Sequence, residues 1–224
     1  MKRSVAIDGP SGAGKSSLAK CISKRFGFIY VDTGAIYRAV GLYVRRKGVA
    51  SKDAPTVEKL LPEISIDIEY DGEGNQHILL NGEDVSDKIR EPEISIYASD
   101  VSAMPAVRAF LLGMQRSLAE RYDVVMDGRD IGTVVLPNAS VKIFLTASPE
   151  ERARRRHKEL TEKGVNCTYE EVLRDMQYRD KNDSSREIAP LRPAEDSILL
   201  DTTELSFEES ADRIAQIISE RLGI

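Results

Sequence analysis

The sequence has few of the residues that staple small secreted proteins or hold metal clusters. Its 224 residues include two cysteines, two histidines and no tryptophan. Cys21 and Cys167 lie far apart and lack the paired spacing of a zinc site, so we expect two free thiols and a reducing compartment. His77 and His157 have no partners at metal-binding spacing, and we assign them no chemistry.

Long apolar stretches are also missing. No run approaches the ~20 residues that a membrane-spanning helix needs, and the apolar part of the N-terminal MKRSVAIDGP is too short for a secretory signal. The formal net charge is −5, which argues against general nucleic-acid binding and limits any anion site to local basic clusters. We expect a cytoplasmic protein without nucleic-acid or membrane partners, and a monomer because no interface pattern is visible.

Short apolar runs alternate with helical patterns along most of the chain. Runs that are apolar on both faces are typical of a parallel sheet covered by helices. The predicted strands are 3–8, 28–32, 123–127, 141–145 and 197–201. Three later helices are predicted to begin with capping boxes, at Ser148, Thr168 and Ser206, because each residue stands three places before a glutamate.

One segment breaks this alternation. In ISIDIEY (64–70) apolar residues recur at every second position, and Asn81-Gly82 is a strong hairpin signal. We therefore predict an antiparallel, β-rich insertion at about 62–102 in an α/β core that comprises 1–61 and 103–224.

A phosphate-binding loop is predicted at 9–16, where GPSGAGKS matches G-x-x-x-x-G-K-[ST] between a strand and a helix. The glycines allow backbone N–H groups to turn toward phosphate oxygens, Lys15 would reach the β and γ phosphates, and Ser16 would bind Mg²⁺. A glycine-rich connection without a ligand is the alternative, and a dinucleotide fingerprint fits worse. The predicted ATP contacts of this loop are Gly9, Pro10, Ser11, Gly12, Ala13, Gly14, Lys15, Ser16 and Ser17.

The acceptor of the phosphoryl group is a separate question. The chain lacks the Asn-Lys-x-Asp guanine reader of GTPases and is short for an ATPase motor, so a small-molecule kinase fits best. Transfer between two phosphorylated nucleotides needs extra cations, and arginines stand at several element ends and along 150–164. Any single arginine could instead be solvated surface, and Asp127 and Asp130 could be a helix cap and a salt bridge to Arg129.

Several stretches together resemble the bacterial cytidylate kinases, which are nucleoside monophosphate kinases. The most specific are DTGAIYR (32–38), DGRDIGTVV (127–135) and RDKNDSSR (179–186). The resemblance implies an α/β P-loop kinase with a five-stranded parallel sheet flanked by helices, a β-rich monophosphate-binding insertion and a short helical lid at about 150–166. It implies transfer of the ATP γ-phosphoryl group to CMP or dCMP, with Mg²⁺.

The resemblance also implies roles for individual residues. The cytosine readers are Ser99, Arg108 and Asp130. The residues that grip the monophosphate are Thr33, Arg38, Arg129 and Arg186, the last three of them catalytic together with Lys15. The ribose contacts are Arg179 and Asp183. Asp127 would lie near the metal, through water, beside Ser16, and Arg152 and Arg156 of the lid would contact ATP.

Cytosine differs from uracil in its 4-amino group and its unprotonated N3. A carboxylate can accept from that amino group, while serine and arginine can donate to N3 and O2. Two other functions stay open from the residues: another P-loop metabolite kinase, acting on uridylate, adenylate or a sugar-like acceptor, or a regulator that binds ATP without turnover.

Overall fold

The computed structural model describes residues 2–224. In chain order its strands are β1 (Ser4–Asp8), β2 (Ile29–Asp32), β3 (Ile66–Tyr70), β4 (Gln76–Leu80), β5 (Glu83–Asp84), β6 (Val124–Gly128), β7 (Val141–Thr146) and β8 (Ile198–Asp201). Its α-helices are α1 (Lys15–Phe26), α2 (Thr33–Arg46), α3 (Ala54–Leu60), α4 (Pro92–Val101), α5 (Pro105–Arg121), α6 (Pro149–Glu162), α7 (Tyr169–Ser184) and α8 (Phe207–Leu222).

The main sheet has five parallel strands in the order β2-β6-β1-β7-β8. All five strands predicted from the sequence are confirmed, with ends that differ by one residue. The packing of the central strand β1 explains why this strand is apolar on both faces. Val5 and Ile7 pack into one hydrophobic cluster with α1 and α8, while Ala6 packs into a second cluster on the other face. The sheet is therefore buried between two layers of helices.

Two of the three predicted capping boxes form completely. Helices α7 and α8 begin with the capping boxes predicted at Thr168 and Ser206. Of the box predicted at Ser148, only the bond to the serine hydroxyl forms, and the return bond to the glutamate is wrong. The Ser148 hydroxyl accepts from the Glu151 N–H at 3.2 Å, but the Glu151 carboxylate binds Arg154 and Arg155 instead of reaching back. The Ser148 N–H donates to Thr203 at 2.9 Å, so a tertiary contact replaces the local one.

Strands β3, β4 and β5 form a separate antiparallel sheet, as predicted. The turn between β4 and β5 is made by Asn81 (φ 51°) and Gly82 (φ 82°), the two positive φ angles of a tight hairpin turn. Ile66, Ile78 and Leu80 of this sheet share one hydrophobic cluster with α2, α4 and α5. The insertion is thus packed on the core through α2, and its boundaries at about 62 and 102 stay a prediction.

Three expectations from the sequence concern cysteine pairing, metal clusters and membrane-spanning helices. Cys21 and Cys167 are both unpaired and half-buried within 2–224. In the same range no three His, Cys, Asp or Glu side chains are grouped so that they could hold a metal ion. None of the described helices has the length and apolar character that crossing a membrane requires.

Candidate active site

A cavity of about 930 Å³ lies where β1, β2 and β6 end, at the carboxyl edge of the main sheet. Ligands of open α/β proteins bind at this edge. Its walls come from the loop after β1 with α1, the start of α2, the region of α4 and α5, the turn after β6, the helical pair α6 and α7, and residues 205–207. The insertion closes one side through Asn75, Gln76 and Arg90.

The loop after β1 has the backbone of a phosphate cradle. Gly12 (φ 71°) and Gly14 (φ 83°) are left-handed, and Gly14 caps the N-terminus of α1. At Gly9 a Cβ atom would lie 1.9 Å from the Leu145 carbonyl oxygen, so this glycine is required by the neighbouring strand β7. The loop therefore presents the amino end of α1 to the cavity, where the helix dipole favours an anion.

Lys15 lies at the base of this cradle. Its ammonium donates to the Pro10 carbonyl at 2.6 Å, and the side chain is buried. Burial, with Arg129 adding to it, lowers the pKa of Lys15 well below its usual value. A phosphate in the cradle would reverse this effect, because an adjacent anion favours the charged ammonium.

The tip of the cradle is clamped by the helical pair. The Ser11 carbonyl accepts from Arg152 at 2.8 Å, and the Ser11 N–H donates to Asp180 at 3.2 Å. Arg152 also pairs with Asp180 at 2.6 Å and donates to the Ala147 carbonyl at 2.9 Å. Arg152 does not line the cavity. In this structure Arg152 supports the loop, and its predicted contact with ATP stays a prediction.

Ser16 and Asp127 meet across the cavity floor. The Ser16 hydroxyl donates to one Asp127 oxygen at 3.0 Å, and the Tyr30 hydroxyl donates to the other at 3.0 Å. Asp127 is buried and makes no ion pair within residues 2–224. Burial, together with the nearby Asp32 carboxylate, raises the pKa of Asp127 to about 6. A hydroxyl and an unneutralised carboxylate are hard oxygen donors of the kind that Mg²⁺ binds.

The turn after β6 is fixed by short contacts. The Asp8 carboxylate accepts from the N–H groups of Ile131 and Gly132, both at 2.7 Å. A Cβ atom at Gly128 would lie 2.7 Å from the Thr33 hydroxyl oxygen, and that hydroxyl donates to the Asp127 carbonyl at 2.7 Å. Residues 127–130 therefore cannot shift without breaking buried contacts, and their side chains are held at the edge of the sheet.

Arginines crowd the centre of the cavity around a single carboxylate. Arg129 pairs with Asp183 at 2.7 Å, and Arg186 pairs with the other Asp183 oxygen. Burial raises the pKa of Asp183, but Arg129 and Arg186 outweigh it and hold that pKa below its usual value. Arg179 has neither an ion pair nor a hydrogen bond among residues 2–224, and its Nε is buried. Burial, then Arg129 and Arg38, lower the pKa of Arg179 to about 9.

The far end of the cavity has a different character. Arg108 forms a buried ion pair with Asp130 and donates to the Ser102 carbonyl at 3.2 Å. The Ser99 hydroxyl donates to Asp183 at 2.9 Å. Tyr37, which sequence reasoning did not select, lines this end with its ring 5.8 Å from the Arg108 guanidinium carbon. Polar groups of fixed orientation beside an aromatic ring suit a planar, polar ligand.

The sequence-predicted residues assemble with few exceptions. Gly9, Pro10, Ala13 and Arg152 do not line the cavity. The predicted residues that do line it are Ser11, Gly12, Gly14, Lys15, Ser16, Ser17, Thr33, Arg38, Ser99, Arg108, Asp127, Arg129, Asp130, Arg156, Arg179, Asp183 and Arg186. Contact with a ligand is not shown by this placement, and their individual roles stay predictions.

Some cavity residues were missed in the sequence. Arg154 and Arg155 line it beside Arg156, although each is paired with Glu151. Leu205 and Phe207 lie at the same outer end, and Phe207 is 46% exposed. An exposed phenylalanine just after DTTELS is a signal that could have indicated an apolar contact for a ligand.

The insertion contributes contacts that no local sequence motif predicts. The Arg90 guanidinium pairs with one Asp32 oxygen at 2.9 Å, while Arg38 is 3.9 Å from the other. The Gln76 amide accepts from the Asp32 N–H at 2.8 Å and donates to the Asp32 carbonyl at 3.3 Å. The insertion therefore fastens to the end of β2, directly beside the cavity.

Comparisons of its sequence and fold with known proteins identify the family of this chain. A cytidylate kinase of Caldicellulosiruptor bescii is 50% identical over 96% of this chain and 95% of its own, and one of Pseudothermotoga lettingae is 51% identical over 98% and 96%. An uncharacterised protein of Eubacterium ventriosum, 13% identical, has a similar fold with a TM-score of 0.53 over 97% of this chain and 99% of its own. The family model described as cytidylate kinase matches residues 5–220, and the chain therefore belongs to the cytidylate kinase family.

Proposed function

We propose that this protein transfers the γ-phosphoryl group of ATP to CMP, giving ADP and CDP, and that dCMP is accepted at the same site. The observation that carries the proposal is the joining of two sites in one cavity. A phosphate cradle with a buried lysine adjoins a cluster of arginines that share one carboxylate, Asp183. Membership of the cytidylate kinase family identifies the two nucleotides.

ATP is proposed to place its phosphates in the loop at 9–16, with Lys15 against the β and γ phosphates. Leu205 and Phe207 at the outer end of the cavity offer apolar contact to the adenine ring. Arg156 stands between these regions and pairs with Glu159 at 2.7 Å. This half-buried pair joins residues one turn apart on α6 and contributes little stability, so a phosphate can take over Arg156 at small cost.

CMP is proposed to bind with its phosphate among Thr33, Arg38, Arg129 and Arg186. Arg38 and Arg179 are the best prepared of the arginines for an anion. Arg38 has only a 3.9 Å contact with Asp32, and Arg179 has no partner among residues 2–224. Buried cations without full counter-charge are stabilised when a phosphate enters. Arg179 and Asp183 then lie where the ribose would be placed.

The chemical step needs positioning and charge neutralisation. The attacking group is a phosphate oxygen of CMP, which is already anionic near neutral pH, so no general base has to remove a proton. Charge develops on the transferred group between two polyanions. Lys15, Arg129 and the neighbouring arginines supply positive charge there, in a cavity from which closure of the lid would exclude water.

Mg²⁺ is proposed to join the reaction with ATP. The fit rests on the donor set: the Ser16 hydroxyl and the Asp127 carboxylate are 3.0 Å apart, and the one cation that acts strongly on Asp127 is Lys15 of the phosphate loop. Mg²⁺ usually keeps several waters and binds one or two carboxylates plus substrate phosphates. Ser16 would hold the ion directly and Asp127 through water, and the ion would neutralise phosphate charge.

The base end is proposed to read cytosine through Ser99, Arg108 and Asp130. The Asp130 carboxylate is buried, and its ion pair with Arg108 fixes its direction. A carboxylate accepts a hydrogen bond from the cytosine 4-amino group, whereas uracil would set its O4 against another acceptor. An unpaired buried polar group costs about 1–3 kcal/mol, which is about ten- to a hundred-fold in rate or affinity.

Three further proposals concern the whole molecule. The insertion at about 62–102 and the lid at about 150–166 are proposed to move as separate bodies against the core. The protein is proposed to act as a monomer in the cytoplasm. Size-exclusion chromatography with light scattering would test the monomer, and a dimer mass would refute it.

The proposed reaction is tested by a coupled assay of ADP release with CMP, dCMP, UMP and AMP as acceptors. CMP and dCMP should give the highest kcat/KM. Lys15→Ala, purified in the same way, is the negative control and should lose turnover with every acceptor. Equal activity with all four acceptors, or none with CMP, would contradict the proposal and favour an ATP-binding regulator or another metabolite kinase.

A further inference from the structure

A polar bridge joins α4 to α7 behind the base end of the cavity. On α4 it contains Ser99 and Asp100, and on α7 it contains Tyr178 and Asn182. The Tyr178 hydroxyl donates to Asp100 at 2.5 Å, and the Asn182 amide nitrogen lies 2.9 Å from the Ser99 oxygen and 3.5 Å from Asp100. Of these four residues only Ser99 lines the cavity. The other three can affect a ligand only through it.

The direction of the Asn182 amide follows from what surrounds it. Asp100 is buried and accepts hydrogen bonds from Tyr178 and from Ser51, the latter at 2.6 Å. An amide facing a carboxylate turns its NH₂ group toward it, because its carbonyl oxygen would meet another acceptor. The NH₂ group that faces Asp100 is also the group within reach of Ser99. Asn182 is thus a donor to the Ser99 hydroxyl.

The Ser99 hydroxyl has one proton and two lone pairs. Asn182 fills one lone pair, and the proton goes to Asp183 at 2.9 Å. These are the two partners of the hydroxyl among residues 2–224. One lone pair is left for the cavity, so Ser99 offers a ligand an acceptor and not a donor.

We infer that Asn182 is a positioning residue for base selection, which holds the Ser99 hydroxyl so that its proton points to Asp183 and its free lone pair points to the base. The inference rests on the proposed function and changes one part of it. Ser99 would accept from the cytosine 4-amino group, on the same side as Asp130, and would not donate to N3 or O2. Uracil offers no donor at that position.

Without the Asn182 donor, the Ser99 hydroxyl has a second free lone pair and can rotate about its C–O bond. The Ser99 proton can then turn toward the cavity and donate to uracil O4, particularly when a ribose hydroxyl occupies Asp183. Discrimination between CMP and UMP should therefore weaken. A role that is only structural would change activity with both nucleotides by the same factor.

The test measures kcat/KM with CMP and with UMP for the wild type, Asn182→Leu, Ser99→Ala and the double variant. Asn182→Leu should lower the CMP:UMP ratio by about three- to ten-fold, the worth of one hydrogen bond. In the Ser99→Ala background the same substitution should change the ratio by less than about 1.5-fold, since residues that act through one group are not additive. An equal effect in both backgrounds would overturn the inference.

Two other variants keep the result interpretable. Asn182→Ala also removes the donor and adds no new acceptor beside Ser99, so it should lower the ratio as Asn182→Leu does and replaces that variant if it fails to fold. Tyr178→Phe is the matched control, because it weakens the bridge without removing the bond between Asn182 and Ser99, and it should leave the ratio near that of the wild type. An unchanged ratio in both Asn182 variants would overturn the inference.

Failure of the inference can be told apart from failure of the proposed function. If the wild type phosphorylates CMP with no preference over UMP, or not at all, the proposed function itself is wrong. If the wild type prefers CMP and Ser99→Ala leaves that preference intact, Ser99 does not read the base. The inference about Asn182 then falls, while the CMP kinase activity stands.

Discussion

Asp130→Asn tests base recognition and the buried ion pair in one substitution. The Asp130 and Arg108 side chains are 6% and 9% exposed, so their pairing takes place almost without solvent. Asparagine keeps the shape and one acceptor oxygen, but it places an NH₂ group where the second carboxylate oxygen stood. That group repels the cytosine amino group and can rotate to donate to uracil O4. We expect kcat/KM for CMP to fall by about ten-fold or more, since each decade costs about 1.4 kcal/mol, while kcat/KM for UMP falls less or rises.

The same substitution should also lower the stability of the fold. Removing one partner of a buried ion pair leaves the other charge uncompensated, which opposes folding. Burial also raises the pKa of Asp130, with Arg108 and Arg186 opposing that rise, so the neutral asparagine recovers part of the cost of burying a carboxylate. We expect a net loss of about 1–2 kcal/mol, from the range for a buried hydrogen bond, and a Tm lower by about 2–8 °C for a chain of this size.

Steady-state kinetics with CMP and UMP, combined with thermal melting, separate the two effects. The fall for CMP should persist at temperatures well below the Tm, where the variant is fully folded. If Asp130→Asn lowers kcat/KM for both nucleotides by the same factor, Asp130 does not read the base, and its role is to hold Arg108.

Four other predictions concern the phosphates, the carboxylate beside the metal and the lid. Arg129→Lys should lower kcat/KM for CMP and UMP alike, because a point charge cannot replace the planar fork that holds Asp183 and a phosphate; a change in the CMP:UMP ratio would argue against a phosphate contact. The pKa of Asp127 is about 6 in the free protein, so kcat/KM for ATP should fall as pH drops below about 6 and the carboxylate becomes protonated, and a wild-type profile that stays flat down to pH 5 would refute this. Because burial raises that pKa from 3.8 to about 6, Asp127 should oppose folding increasingly as pH rises between these values. Asp8, whose pKa burial also raises to about 6, acts in the same range, so Asp127→Asn should reduce this step in a plot of Tm against pH without abolishing it. A distance probe between residues near 75 and 160 should report a shorter separation with CMP and an ATP analogue, and an unchanged separation at saturation would count against closure.

The sequence predicted the parts of the fold that depend on local signals. The five core strands are short apolar runs between turns, and the hairpin at Asn81 and Gly82 is set by two residues that tolerate positive φ. The helix start at Ser148 is confirmed, but the return bond of its capping box does not form because other residues compete for the same groups. Thr203 takes the Ser148 N–H, and the Glu151 carboxylate is drawn to Arg154 and Arg155. Local capping rules carry no information about such competition.

The site was predictable to the extent that its residues stand in motifs. The loop at 9–16 and the turn at 127–130 could be placed at one sheet edge because both follow parallel strands. Gln76 and Arg90 come from the insertion, and nothing near them in the sequence shows that they meet Asp32. Arg152 shows a contact that the sequence did not predict. It stands in a basic helix and was expected to contact ATP, which stays a prediction, and in the structure it donates to the Ser11 carbonyl.

The charges of the cavity explain how so many arginines can lie together. Asp183 binds both Arg129 and Arg186, and Asp32 binds Arg90 while remaining near Arg38. Each carboxylate thus offsets part of the repulsion between the two arginines beside it. Arg179 has no such partner within 2–224, and its pKa is lowered accordingly. A nucleotide phosphate therefore enters a cluster that is positively charged overall but already oriented, and its binding relieves repulsion among the arginines as well as forming new bonds.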